Sequence, residues 1–453
     1  MKNFFITCCI VLPMISCNNN TKSEAASVKL VTLDPGHFHA ALVQKKMYAS
    51  VDPIVSVYAP EGSDLQFHLD RIVSYNTRTE SPTRWKEEFY TGADFFEKMI
   101  AEKKGNVVVL SGNNRQKTDY ILQSLQNGFH VFADKPMVID SKGFDKLKQA
   151  FDIAAKNKLL LYDIMTERFE ITTLLQRELS MIPELFGELE KGTPGNPAIT
   201  KESVHHFYKY VSGNVLTRPA WFMDVSQQGE GIVDVMTHLV DLVQWECFPG
   251  QVIDYTKDIA INNAKRWSTA MSLADFKAIT KQETFPPYLN KHVTGDTLLQ
   301  VFCNGEINYS LKGVHAKTSV IWNYKAPEGT GDTHQSTMRG TKANLVIRQG
   351  KEENYQPTLY IELLSLSQNQ DIAGITKKIQ GSFPGVTFEK VQSGWKVIIP
   401  ANLKEGHEAH FARVTEQFLS YLKNNDMPSW EVPNMLAKYY TTTQALELSL
   451  NNK

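Results

Sequence analysis

The chain has 453 residues, 42% of them hydrophobic, and a formal net charge of −1. That supplies apolar material for more than one core, while the absence of any dense run of Lys or Arg argues against nucleic acid as a partner. Its 5 cysteines are too few for a disulfide framework and show no zinc-like spacing.

The chain opens with Met1-Lys2-Asn3 and an apolar run from Phe4 to Ile15, too short to span a bilayer and suited to a signal-peptide core. Met14-Ile15-Ser16-Cys17 resembles a bacterial lipobox. The expectation is a signal over 1–16, a lipidated Cys17, a polar tether over 17–27 and a place in the cell envelope facing the periplasm. A plain secretory signal with an incidental cysteine gives the same pattern. Cys8 and Cys9 would leave with the signal, and a single disulfide between Cys247 and Cys303 stays open.

From Val28, short apolar runs alternate with amphipathic stretches. Strands are expected at 28–33, 53–58, 106–111, 129–133 and 159–164. Helices are expected at 37–48, 64–75, 93–102, 116–126 and 141–155, the fourth stopped by Gly128. Such alternation argues a doubly wound parallel sheet over 28–165. Beyond it the rhythm changes. A helix at 169–179 precedes strand-like runs at 203–211, 297–302, 306–311, 318–324, 343–347 and 358–363, with Asn304-Gly305 read as a hairpin signal. A helix at 229–245 interrupts the strands, and helices at 407–422 and 434–448 close the chain. The first of these carries Phe411, Val414, Phe418 and Leu422 as a docking stripe. Residues 166–453 therefore read as an α+β domain with a large, mostly antiparallel open sheet.

Three clusters carry chemistry. Asp34-Pro35-Gly36-His37-Phe38-His39 follows the first strand, where a doubly wound sheet receives a dinucleotide pyrophosphate. Only Gly36 remains of the glycine-rich signature. His37 and His39 also read as polar residues of a helix start, and a metal site joining them to His205 and His206 is not favoured. Asp134-Lys135-Pro136 ends the fourth strand of this unit, where Lys135 either donates to a substrate oxygen or pairs with Asp134 on the surface. Asp234 and His238 stand at i, i+4, as an acid–base pair or as surface decoration.

Taken in order, Val107–Asn114, Gly128–Pro136, Arg218-Pro-Ala-Trp221 and Gly231…Asp234…His238 resemble the superfamily of glucose–fructose oxidoreductase, inositol dehydrogenase and MocA-like proteins. Asp134 stands where that family usually has Glu, and Glu230 and Met236 replace two small residues. The stretch from Lys317 through Gly331-Asp-Thr-His334 to Arg339-Gly-Thr-Lys342 resembles a lipoprotein-bearing subgroup with its own C-terminal oxidoreductase domain. The resemblance implies a Rossmann domain and a tightly bound NAD or NADP. The cofactor would lie across Pro35, Gly36, His37, Phe38, His39, Ser111, Gly112, Asn113, Asn114, Asp134 and Lys135, with Glu61 on the ribose hydroxyls.

It further implies oxidation of a secondary hydroxyl of a sugar or glycoside, for instance to a 3-keto sugar, by a homo-oligomeric enzyme; no metal is expected, because the residues show no ligand set with zinc-like spacing. His238 would take the hydroxyl proton, Lys135 polarise the oxygen and Asp234 position or tune the others. Arg168, Trp221 and Trp322 are candidate substrate contacts, the tryptophans against the alternative of core aromatics. Two other readings share these residues: a glycoside hydrolase that recycles its NAD within each turnover, and a non-catalytic sugar-binding lipoprotein.

Overall fold

A computed structural model describes residues 28–211, 214–295, 297–365 and 371–451, so the signal, Cys17 and the tether lie outside the described residues. Short buried runs form β1 (Leu30–Leu33), β2 (Ile54–Tyr58), β4 (Val107–Leu110), β5 (His130–Asp134) and β6 (Leu161–Ile164); a charged edge strand, β3 (Lys86–Tyr90), completes the sheet. All pair in parallel in the order β3-β2-β1-β4-β5-β6, which is the Rossmann order. The order reverses between β1 and β4, and a crevice opens at their carboxyl ends. β3 reads Lys-Glu-Glu-Phe-Tyr. It has no apolar run for a sequence reading to find, and charged edges resist pairing with other chains.

The connecting helices are α1 (His39–Leu42), α2 (Ser63–Thr77), α3 (Phe95–Glu102), α4 (Asn114–Gln126) and α5 (Ser141–Asn157). The expected helix at 37–48 is cut to the four residues of α1. His39, its first residue, is buried with its ring Nδ1 2.8 Å from Asp134 Oδ2.

A 3₁₀ turn (Thr166–Phe169) and α6 (Ile171–Ser180) lead into the second half. There β7 (Gly192–Thr193) pairs with β8 (Asn196–Pro197), and β10 (Tyr210–Val211) with β11 (Asn214–Val215). The large sheet contains β9 (Ile199–Tyr208), β12 (Ile259–Ser272), β13 (Val293–Thr294), β14 (Leu298–Leu311), β15 (Val314–Lys325), β16 (Thr333–Arg339), β17 (Ala343–Arg348), β18 (Thr358–Leu363), β19 (Thr387–Val391) and β20 (Gly394–Ile398). They run β12-β14-β15-β9-β16-β17-β18-β20-β19, with β13 on β14. Only β9 and β15 pair in parallel, so the sheet is mostly antiparallel as expected.

Asn304-Gly305 is not a turn. It sits inside the long strand β14, where Asn304 Nδ2 donates to Thr269 Oγ1 at 2.9 Å and its Oδ1 accepts from the Trp322 amide at 2.6 Å. Side-chain bonding to both neighbouring strands overrides local turn preference. The hairpin comes at Lys312-Gly313, both with positive φ.

The helices of this half are α7 (Val225–Gln228), α8 (Met236–Cys247), α9 (Leu273–Thr280), α10 (Ile372–Gln380), α11 (His407–Asn424) and α12 (Glu431–Asn451). The docking stripe of α11 enters the Rossmann core: Phe411, Val414 and Phe418 are buried, and Phe418 stacks on Phe132 at 4.5 Å. Burial of a phenylalanine contributes roughly 1.5–3 kcal/mol. α12 joins both cores, Met435 and Tyr439 in the first and Ala437, Ala445 and Leu446 in the second. These two helices hold the halves together around the crevice. Cys247 and Cys303 are free thiols, and among the described residues no helix is long and apolar enough to cross a membrane.

Candidate active site

A cleft of about 1230 Å³ lies between the carboxyl ends of the Rossmann strands and one face of the large sheet. Three local features aim residues into it. Asp34, at the end of β1, takes a left-handed conformation (φ 48°) that turns the chain sharply toward His37. Gly112, after β4, lies so close to this turn that a Cβ would stand 2.0 Å from the Asp34 carbonyl oxygen. Gly231 lies equally close to β14, where a Cβ would be 1.9 Å from the Cys303 carbonyl, and this brings Asp234 forward before α8 begins.

Lys135 follows β5, and its peptide bond to Pro136 is cis. Lys135 Nζ donates to Asp234 Oδ1 at 2.8 Å, joining the two halves across the cleft. Burial opposes the Asp234 charge, but the Lys135 ammonium and its hydrogen bond outweigh burial and hold the carboxyl below its usual range. Asp234 precedes the helix expected to carry it, and its carboxylate serves Lys135 rather than His238. His238, in the first turn of α8, has a buried Nδ1 with no partner. Burial, and next the Lys135 charge, push it down to about 4, so its imidazole is neutral at pH 7.

His37 Nδ1 and His39 Nδ1 lie 3.2 and 2.8 Å from Asp134 Oδ2, which ties the β1 turn to the end of β5. Lys117 Nζ donates to the Asp134 backbone oxygen at 3.1 Å and also lines the cleft; burial pushes it down to about 8.

His37, Phe38, His39, Gly112, Asn114, Asp134 and Lys135 line the cleft together, as do Asp234, His238 and Trp322. Glu61, Asn113, Arg168 and Trp221 do not line this cleft. Glu61 is exposed past β2. Asn113 caps α4 through the Arg115 amide and donates to Gln227. The expectation for Arg168 is corrected: its guanidinium is consumed by Asp241 at 2.6 and 2.8 Å and by Glu431 at 2.9 and 3.1 Å. Trp221 packs instead against the turn after β1 and α2. Its Nε1 donates to Asp64 Oδ2 at 2.7 Å, and its ring lies 2.9 Å from where a Gly36 Cβ would stand. Trp322 reaches the cleft, but its face is stacked on His205 at 5.0 Å.

Sequence reasoning missed Glu167, His407 and Asp332, which also line the cleft, as does His205. Glu167 lies in the 3₁₀ turn just past the end of β6, so the strand-end rule that selected Lys135 points to it as well. Asp332 is held by His205, His206 and Lys209, which pairs His205 and His206 with a carboxylate other than the Asp134 that His37 and His39 approach.

A profile described as "Oxidoreductase family, NAD-binding Rossmann fold" matches residues 34–162, and one described as "Putative oxidoreductase C terminal domain" matches 175–450. The chain belongs to the glucose–fructose oxidoreductase, inositol dehydrogenase and MocA-like family. This oxidoreductase is similar to a crystal structure of a "putative oxidoreductase" from Parabacteroides merdae ATCC 43184, with 56% identity, a TM-score of 0.92 and coverage of 95% of this chain and 99% of that one. It shares its fold with a "putative oxidoreductase" from Thermotoga maritima (14% identity, TM-score 0.58, 94% and 98% covered). It also shares it with a levoglucosan dehydrogenase in complex with NADH and levoglucosan (10% identity, TM-score 0.57, 93% and 98% covered). No curated protein matches the oxidoreductase.

The cleft suits the nicotinamide half of the dinucleotide that this family implies. Ser111 Oγ and Asn114 Oδ1, beside the end of β4, are buried polar atoms without partners, and such atoms call for a ligand or water. The pyrophosphate turn departs from the signature. Asp34 supplies the tight turn of the first glycine, Gly36 keeps the second place under the Trp221 ring, and His39 replaces the third. The His–Asp134 clamp, not a long helix, fixes this turn.

Proposed function

We propose that this oxidoreductase removes hydride from a secondary carbinol of a sugar or glycoside in the cleft, with a nicotinamide dinucleotide as acceptor. The observation that carries the proposal is the Lys135–Asp234 pair at the end of β5, beside the unpartnered Nδ1 of His238. A bound dinucleotide supplies the acceptor for the carbinol hydride and its electron pair. Gly112, Asn114, Asp134 and Lys135 would hold its nicotinamide end.

Lys135 donates a hydrogen bond to the carbinol oxygen, and Asp234 keeps the ammonium aimed. Neutral His238 accepts the hydroxyl proton as the carbonyl forms, and the carboxylate of Glu167, which raises the His238 basicity, favours the resulting imidazolium. The levoglucosan bound by the dehydrogenase of the same fold supports a carbohydrate as the substrate class. Attachment to the cell envelope through Cys17 is part of the same proposal, supported by the lipobox resemblance alone.

Mass spectrometry of the natively purified full chain tests both parts. We expect a non-covalent dinucleotide released on denaturation and an acyl mass on Cys17. A well-folded protein that neither carries nor takes up NAD or NADP would contradict the dinucleotide reading, and an unmodified Cys17 would contradict the anchor.

A further inference from the structure

We propose that His37, His39 and Asp134 form a site for a divalent first-row transition-metal ion whose remaining coordination positions open to the cleft. Each residue offers one ligand atom, and the three atoms lie within 4.8 Å of one another. His37 Nδ1 and His39 Nδ1 approach the same oxygen, Asp134 Oδ2, at 3.2 and 2.8 Å. With metal–ligand bonds of about 2.1 Å, two ligands at a right angle stand ~3.0 Å apart. The two histidine–carboxylate separations, 3.2 and 2.8 Å, bracket that value.

Two imidazoles and one carboxylate with open positions opposite form a donor set suited to zinc, iron(II) and their neighbours. The donors come from two adjacent places in the sheet crevice, the turn after β1 and the end of β5, so the set is assembled before any ion arrives. Nearby cations are already matched. The Lys135 ammonium is paired with Asp234 at 2.8 Å, and Lys117 is directed at the Asp134 backbone oxygen.

An ion here replaces the hydrogen bonds from the histidines to Asp134. Each Nδ1 then gives its lone pair to the metal, and each neutral imidazole keeps its proton on Nε2. The bound ion would act as a Lewis acid toward a hydroxyl, carbonyl or phosphate oxygen in the cleft, close to Lys135. The competing account is a purely structural clamp of histidines on a carboxylate, which binds no ion.

The test uses metal alone, with no dinucleotide or sugar, so its result is separate from the fate of the proposed oxidation. Chelator-treated full chain is dialysed against Zn²⁺ and, in parallel, Co²⁺. Bound metal is counted by elemental mass spectrometry, and the Co²⁺ visible spectrum reports coordination. We expect one ion per chain, with affinity reduced at least ~100-fold in His39→Ala and Asp134→Asn, since a lost ligand costs no less than a lost outer-shell partner. Circular dichroism checks that the variants fold, and His37→Ala, the more exposed ligand, serves if either does not. Wild type that takes up no ion, or folded variants that bind as tightly as wild type, would overturn the site.

Discussion

Lys135→Met is expected to lower the rate of hydride transfer by about 10²–10⁴-fold, the usual cost of removing a positioned proton-handling group, while sugar affinity changes little. The ammonium sits 2.8 Å from Asp234 in a nearly buried pair, so methionine keeps the bulk and removes both the donor and the countercharge. Asp234→Asn removes the charge that aims Lys135 but leaves a side chain of the same shape, and a smaller loss is expected there. Single-turnover kinetics separate the step from binding. If Lys135→Met raised the concentration needed for half-saturation and left the rate untouched, Lys135 would be a binding contact only.

Arg168→Met is expected to cost about 3–5 kcal/mol of stability, because it breaks a buried charge network by removing one partner. Asp241 keeps Lys438 at 2.9 Å, but Glu431 loses its cationic partner and keeps the Tyr162 hydroxyl at 3.2 Å. Denaturant unfolding gives the change in midpoint directly. The folded fraction should turn over as wild type does, since the guanidinium faces Asp241 and Glu431 rather than the cleft. A variant of wild-type stability with weakened sugar binding would restore Arg168 as a substrate contact.

The contrast between these two residues shows what the sequence makes legible. Lys135 stands out because its setting is local, a buried strand, its end and a proline after it, but only the resemblance separates a site lysine from a surface one. Arg168 also follows a strand end, but its partners Asp241 and Glu431 lie 73 and 263 residues away in the chain, and no local pattern reveals them. His407 enters the cleft in the same way, carried there by the α11 stripe of Phe411, Val414 and Phe418. The stripe is visible as helical periodicity, but the surface on which it docks is not. The doubly wound parallel sheet follows from alternating buried runs, whereas polar edge strands such as β3 and β12 carry no such run. Asn304-Gly305 misleads for the opposite reason: its local turn preference is strong, but contacts from Thr269 and Trp322 decide the outcome.

The most direct test of the oxidation is optical. Full chain loaded with NAD or NADP is mixed with candidate glycosides under single-turnover conditions, and the near-ultraviolet absorbance of reduced nicotinamide is followed. The account predicts that absorbance rises with at least one glycoside, in step with formation of a keto sugar. Dinucleotide-loaded protein that binds the glycosides but gives neither reduced nicotinamide nor keto sugar with any of them would contradict it.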